Sequence, residues 1–147
     1  MSFGGPYLLA PIPALLGIRP GMRVSVINPP EGFLQKLAPL PEGVELLDQA
    51  RTGLDVTIFF TTRKVELVEK LSSLARGMAV TGTIWVCYPN PNALEGPQVP
   101  TEEFVRLAGL EIGLSDNKLL LLDPAWSGLR LVWRPHPARP EKPQASA

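Results

Sequence analysis

The chain is expected to fold as a three-layer α/β domain: a mostly parallel sheet, helices on both faces, and one antiparallel strand near the C-terminus. Three observations predict it. Short apolar, β-branched runs alternate along the chain with segments of helical periodicity, as a succession of strand–helix–strand units requires. Residues 24–27 and 55–60 are apolar almost throughout instead of alternating, the pattern of strands buried on both faces. The last two apolar runs are joined by Asp123-Pro124-Ala125-Trp126-Ser127-Gly128, which is too short for a helical crossover and so makes an antiparallel return.

The elements follow in order. Residues 23–27 form the first strand after the Pro20-Gly21 turn, and residues 30–38 a short helix stopped by Pro39. Residues 44–47 make a short strand after Glu42-Gly43, and residues 55–60 a buried one. Residues 63–75 are the clearest helix, with Leu67, Leu71 and Leu74 on one face and Gly77 just past the end. Residues 81–88 form another buried strand. Thr101 is a suitable N-cap, with Glu102 and Glu103 complementing the positive first turn of a helix that carries Phe104, Ala108 and Ile112 on its apolar face. Residues 118–122 and 129–134 supply the last two strands.

Prolines mark the boundaries. Residues 1–17 read as an irregular arm whose Leu8, Leu9, Ile12, Leu15 and Leu16 are too apolar to stay in water. They are expected to cover the sheet or a second subunit, which points to a homodimer. Residues 18–134 are the α/β domain. Residues 135–147, with Pro135, Pro137, Pro140 and Pro143, read as an extended, flexible tail.

Bulk properties exclude several classes. A length of 147 residues suits one domain with a proper core. With 14 basic and 14 acidic side chains the formal charge is zero, so there is no electrostatic footprint for nucleic acid or an anionic membrane. The single cysteine, Cys87, permits neither an internal disulfide nor a cysteine-based zinc cluster, and suits a reducing, cytoplasmic location. No apolar run reaches the ~20 residues of a spanning helix, and the N-terminus lacks the basic start of an export signal.

An open α/β sheet binds ligands outside the carboxyl ends of its strands, near the point where strand order reverses. That rule nominates residues 28–33 after the first strand, with Asn28, Glu31, Gly32 and Phe33 foremost, 47–48 after the second, including Asp48, 60–62 after the third, and 88–92 after the central one, with Tyr88 and Asn90 foremost. Each has a structural reading beside the functional one. Pro29 and Pro30 stand where such folds place glycines and contribute no N–H groups, so the turn also reads as a rigid strand-to-helix corner. Glu31 is expected to occupy the positive end of the following helix itself. Asp48 lies 20 positions after Asn28, the spacing of a ribose-binding acid, yet a solvated Asp at a strand end is common. Cys87 reads as a buried inert thiol, and the lone His136 as a solvated residue of the tail. Trp126 is read as capping the sheet end, with Gly128 making the turn. No residue is nominated as catalytic or as a metal ligand.

Two stretches carry a resemblance. Asp55-Val-Thr-Ile-Phe-Phe60, a helix, and then Gly82-Thr-Ile-Trp-Val86 look like the second half of a class I S-adenosylmethionine-dependent methyltransferase domain. Leu16-Gly-Ile-Arg-Pro-Gly-Met-Arg-Val24, Asn28-Pro-Pro-Glu-Gly-Phe33, Pro39-Leu-Pro-Glu-Gly-Val44 and Trp126-Ser-Gly-Leu-Arg130 together resemble the DUF3052 family, bacterial proteins of unknown function. The resemblance implies a truncated, Rossmann-like, methyltransferase-like fold and leaves the activity open. Ala14 and Leu15 stand where members of that family often have lysines, and Asn90-Pro91 where they often have a lysine pair. Asn28-Pro29-Pro30 echoes the Asn/Asp-Pro-Pro-aromatic motif of amino-methyltransferases, but an acid, Glu31, takes the place of the aromatic residue.

The leading expectation is a non-catalytic module that binds a small molecule or a protein partner on this fold. The alternatives are an S-adenosylmethionine-dependent small-molecule methyltransferase with an atypical cofactor loop, and an adenine-nucleotide-binding protein.

Overall fold

The computed structural model describes residues 11–47 and 52–135. Its elements are α1 (Ile12–Leu15), β1 (Arg23–Ile27), α2 (Phe33–Leu37), β2 (Glu45–Leu47), β3 (Leu54–Phe60), α3 (Lys64–Arg76), β4 (Met78–Pro89), α4 (Glu102–Glu111), β5 (Leu114–Leu121) and β6 (Trp126–Trp133). They build one six-stranded sheet in the order β2-β1-β3-β4-β6-β5. β2, β1, β3 and β4 pair in parallel, and β6 runs antiparallel to both β4 and β5. The expected mostly parallel α/β sheet with a C-terminal antiparallel strand is therefore the observed architecture.

Strand parity divides the core into two layers. On one face Phe59, Ile84, Val86, Leu129 and Leu131 lie under α3 and α4. On the other, Val24, Val26, Val56, Ile58, Phe60, Trp85 and Cys87 lie under α1 and α2. Both side chains of successive β3 and β4 residues are thus buried, which is why these strands read as continuous apolar runs.

The segment leading into β1 belongs to this core. Ile12–Leu15 form one helical turn within the stretch read as irregular, and Leu16 and Ile18 are buried. The Trp85 indole N–H donates to the Leu16 carbonyl at 2.9 Å, inside the core. Arg130 lies over the same indole, 5.8 Å from its centroid.

Several boundaries differ from expectation, each for a local reason. α2 begins at Phe33 instead of Pro30, because Gly32 takes a left-handed conformation (φ 86°) that restarts the backbone after a Pro30–Phe33 turn. α3 buries Leu67, Leu71 and Leu74 as expected, together with Ala75. α4 is capped by the Thr101 hydroxyl, which accepts from the Phe104 amide, but its buried stripe is Val105 and Gly109. Phe104, Ala108 and Ile112 flank that stripe. The roll follows from Gly109, where an added Cβ would stand 3.1 Å from a Leu131 methyl; the bare backbone lets the helix settle there. β5 extends back through polar Ser115, Asp116 and Asn117, which an edge strand tolerates. β6 begins at Trp126 instead of Leu129. Gly128 accordingly makes no turn: it pairs with Cys87 inside the sheet, and an added Cβ would stand 3.1 Å from the Trp85 ring. The turn is made by Asp123, whose Oδ1 accepts from the amides of Ala125 (2.8 Å) and Trp126 (2.9 Å).

Candidate functional site

The order β2-β1-β3 reverses direction at β1 and β3, so the carboxyl ends of these two strands form the switch point. Asn28 stands there in a left-handed conformation (φ 57°), the only non-glycine among the described residues to do so. Asparagine tolerates this region better than most residues because its short side chain bonds locally. Here its Nδ2 donates to the Phe60 carbonyl (3.4 Å) and to Glu66 Oε2 (3.1 Å). The Thr61 hydroxyl donates to Glu66 Oε1 at 2.6 Å, and Lys70 pairs with Glu66 at 3.3 Å. The Thr61 hydrogen bond is the main reason the Glu66 carboxyl titrates below its ordinary value; Lys70 and Asn28 add to it against a smaller opposing effect of burial. Thr61 falls within residues 60–62, which the switch-point rule nominates; Glu66 lies beyond that stretch and was missed. The available signal was an acid in the first turn of the helix that follows a switch-point strand, with a lysine four residues on.

The β1–α2 turn offers little to a ligand. Pro29 and Pro30 carry no N–H. Glu31 precedes the left-handed Gly32 cap and no acid lies in the first turn of α2, so the expected interaction of Glu31 with that helix end is absent. Phe33 is buried and turned into the fold. Its ring meets Phe60 edge-on at 4.7 Å, and Phe60 meets Trp126 edge-on at 5.0 Å. This aromatic row fills the space beside the turn and leaves a cleft of about 90 Å³ lined by Pro30, Glu31, Lys36 and Asp123 among others. Asp48 lies outside the described residues, as does His136.

Tyr88 and Asn90 stand elsewhere, where β4 ends beside the start of β6. They are not brought together with Asn28. Asn90 is spent on structure: Nδ2 donates to the carbonyls of Asp123 (3.2 Å) and Pro124 (3.0 Å), and Oδ1 accepts from the Ser127 hydroxyl. It therefore clamps the β5–β6 turn to the end of β4. Beside it is a larger cavity of about 260 Å³ lined by Tyr88, Leu94, Val99, Thr101, Leu119 and Ser127 among others. Cys87 is fully buried and its thiol is pushed well up by burial, so the reading of an inert thiol agrees with its surroundings.

The described fold is a methyltransferase-like Rossmann α/β fold, as comparison with solved structures shows. The chain is similar to the pyocyanin biosynthetic protein PhzM, with a TM-score of 0.63 and 13% identity over 84% of this chain and 53% of that one. It is similar to an S-adenosylmethionine-dependent methyltransferase from Aquifex aeolicus, with a TM-score of 0.53 and 13% identity over 82% of this chain and 86% of that one. It is also similar to magnesium protoporphyrin IX methyltransferase from Synechocystis, solved with bound S-adenosylhomocysteine, with a TM-score of 0.53 and 14% identity over 78% of this chain and 75% of that one. At such identities the likeness establishes the fold, and the chain spans about half the length of PhzM. No protein-family model matches the chain and no curated protein matches it, so the resemblance to DUF3052 stays a proposal.

The cofactor of that fold can be tested against the residues present. Small-molecule pockets run to roughly 300 Å³ or more, against about 90 Å³ beside the β1–α2 turn. The proline pair supplies no donors to a charged ligand, and the Asn28–Glu66–Thr61 network already satisfies the polar groups between β1 and β3. The described residues at the switch point do not fit S-adenosylmethionine in this conformation.

Proposed function

We propose that the chain is a small-molecule-binding domain on the methyltransferase fold, with S-adenosylmethionine-dependent methyl transfer as the activity that its likenesses favour over a non-catalytic role. The observation that carries this reading is the fold built by the strand order β2-β1-β3-β4-β6-β5, which is similar to that of proteins described as methyltransferases. No observation speaks for a non-catalytic role by likeness. One does so by geometry: the Phe33–Phe60–Trp126 row occupies the space beside the turn. A purely binding function is therefore the second reading. Because the switch-point residues do not fit the cofactor, no chemical step is assigned to them.

Calorimetric titration of the full chain with S-adenosylmethionine and S-adenosylhomocysteine, up to millimolar ligand, separates the two. Saturable heat that Asn28→Ala or Asp48→Ala weakens supports the methyltransferase reading. Absence of heat with both ligands overturns it and leaves the binding module. Thermal-shift arms with ATP, ADP and AMP test adenine-nucleotide binding in the same series.

A further inference from the structure

The structure assigns a second ligand site, at the carboxyl end of β4 and away from the switch point, to a small apolar molecule that carries an amino group. The site is the cavity of about 260 Å³ between the end of β4, the loop leading to α4, and the edge pair β5–β6. It goes beyond the methyltransferase reading and stands whether or not the switch point takes a cofactor.

Shape and lining select the apolar body. Leu94 and Leu119 are 46% and 51% exposed, and both line the cavity with Val99, Pro91 and the Tyr88 ring. Single exposed leucines are ordinary, but two that converge on one concavity with a proline-stiffened rim are the pattern of a ligand pocket. Its size suits a molecule of one fused ring system.

Charge selects the amine. No lysine or arginine lines the cavity, whereas Glu95 and Glu102 do. Arg106, which pairs with the lining residue Glu102 at 2.5 Å, is also held by Asp116 at 3.2 Å and Glu103 at 3.4 Å. The lining thus carries two carboxylates and no cation, with Glu102 shared with Arg106, so a bound cation is favoured there and an anion is repelled. Hydrogen bonding agrees. The Ser127 hydroxyl already donates to Asn90 and the Thr101 oxygen already accepts from the Phe104 amide. For an ammonium group the charged acceptors are Glu95 and the Glu102 oxygen that Arg106 does not take, and the Ser127 hydroxyl, which donates to Asn90, can still accept. The Tyr88 phenol is pushed up to about 12 by burial first and by Glu102 next, so it stays neutral and offers no competing charge.

The test is a set of matched probes on the full chain, followed by ¹⁵N–¹H shift perturbation: tryptamine, indole and indole-3-acetate. These share a ring and differ in charge. Tryptamine should saturate, with shifts centred on Tyr88, Leu94, Val99, Thr101, Leu119 and Ser127, and should bind at least tenfold more tightly than indole-3-acetate. Glu95→Lys, at an exposed rim position, should weaken tryptamine about tenfold and leave indole unchanged. Val99→Trp should fill the cavity and remove all binding; Glu95→Lys carries the test if that variant fails to fold. Equal affinity for amine and acid, shifts centred on Phe33 and Phe60, insensitivity to Glu95→Lys, or no binding of any probe would each overturn the assignment.

Discussion

Replacing Trp85 by Phe tests how firmly the segment before β1 is locked into the fold. The indole is fully buried, and its N–H donates to the Leu16 carbonyl across 69 positions of sequence. Phe keeps most of the ring but cannot donate. A buried carbonyl left without its partner costs about 1–3 kcal/mol. The smaller ring also leaves a void of roughly 40 Å³, which at ~24 cal/mol per Å³ adds about 1 kcal/mol. Trp85→Phe should therefore destabilise the domain by about 2–4 kcal/mol. With a urea slope of about 1–3 kcal/mol per M, the midpoint should fall by roughly 1–2 M, followed by far-ultraviolet circular dichroism. The loss should also have a local signature. Amides of Leu16 and Ile18, which bond back to Ile12 and Pro13, should exchange faster than those of β3 and β4. A midpoint shift below about 0.3 M, or unchanged exchange at Leu16 and Ile18, would refute the claim that the indole holds this segment.

Three further outcomes are expected. Glu66 has a lowered folded pKa, so its contribution is complete above the ordinary 4.5 and is lost as pH falls through the lower folded value. Glu66→Gln should flatten the acid limb of stability between 4.5 and the lower folded value in urea midpoints taken across pH, and an unchanged limb would refute the Thr61–Glu66 bond. Gly128→Ala should cost about 1–3 kcal/mol, because its Cβ would press on the immobile Trp85 ring at 3.1 Å. Gly96→Ala, with open space around it, should be near neutral, and equal midpoints for the two variants would refute the packing argument. Cys87 should react with a disulfide reagent about a thousandfold more slowly in native buffer than in denaturant; rapid native labelling would show that the strand end is open.

The fold was legible because both faces of the central strands are buried. Residues 55–60 and 81–88 could only be interior strands, and the Leu67, Leu71 and Leu74 spacing could only be one helix face. The errors arose where a single small residue overrode the periodicity. Gly32 delays α2, Gly109 rolls α4 onto Leu131, and Gly128 makes room for Trp85 in a strand instead of turning the chain. The site was half legible. The switch-point rule nominated Asn28 and residues 60–62, and the structure brings Asn28 and Thr61 together around Glu66, whose only signal was an acid in the first turn of the next helix with a lysine four residues on. Asn90 was rightly seen at a strand end, yet its amide is consumed by a turn 33 residues away, a contact that no local pattern encodes.

The reversed strand explains why the two concavities of this sheet differ. Because β6 is antiparallel to β4, its first residues arrive at the edge where the parallel strands end, with Trp126 opposite Pro89 and Ser127 opposite Tyr88. Neighbouring residues of a strand point to opposite faces. Trp126 therefore completes the aromatic row that fills the cleft beside the β1–α2 turn, while Ser127 lines the cavity on the other face. One short stretch of strand closes the first concavity and walls the second, and Asn90 fixes its position for both. An open cofactor site beside β1 would require Trp126 to swing away from Phe60. The Tyr88 cavity requires only that the Asn90 clamp stay in place, and it is the site the described structure already holds in shape.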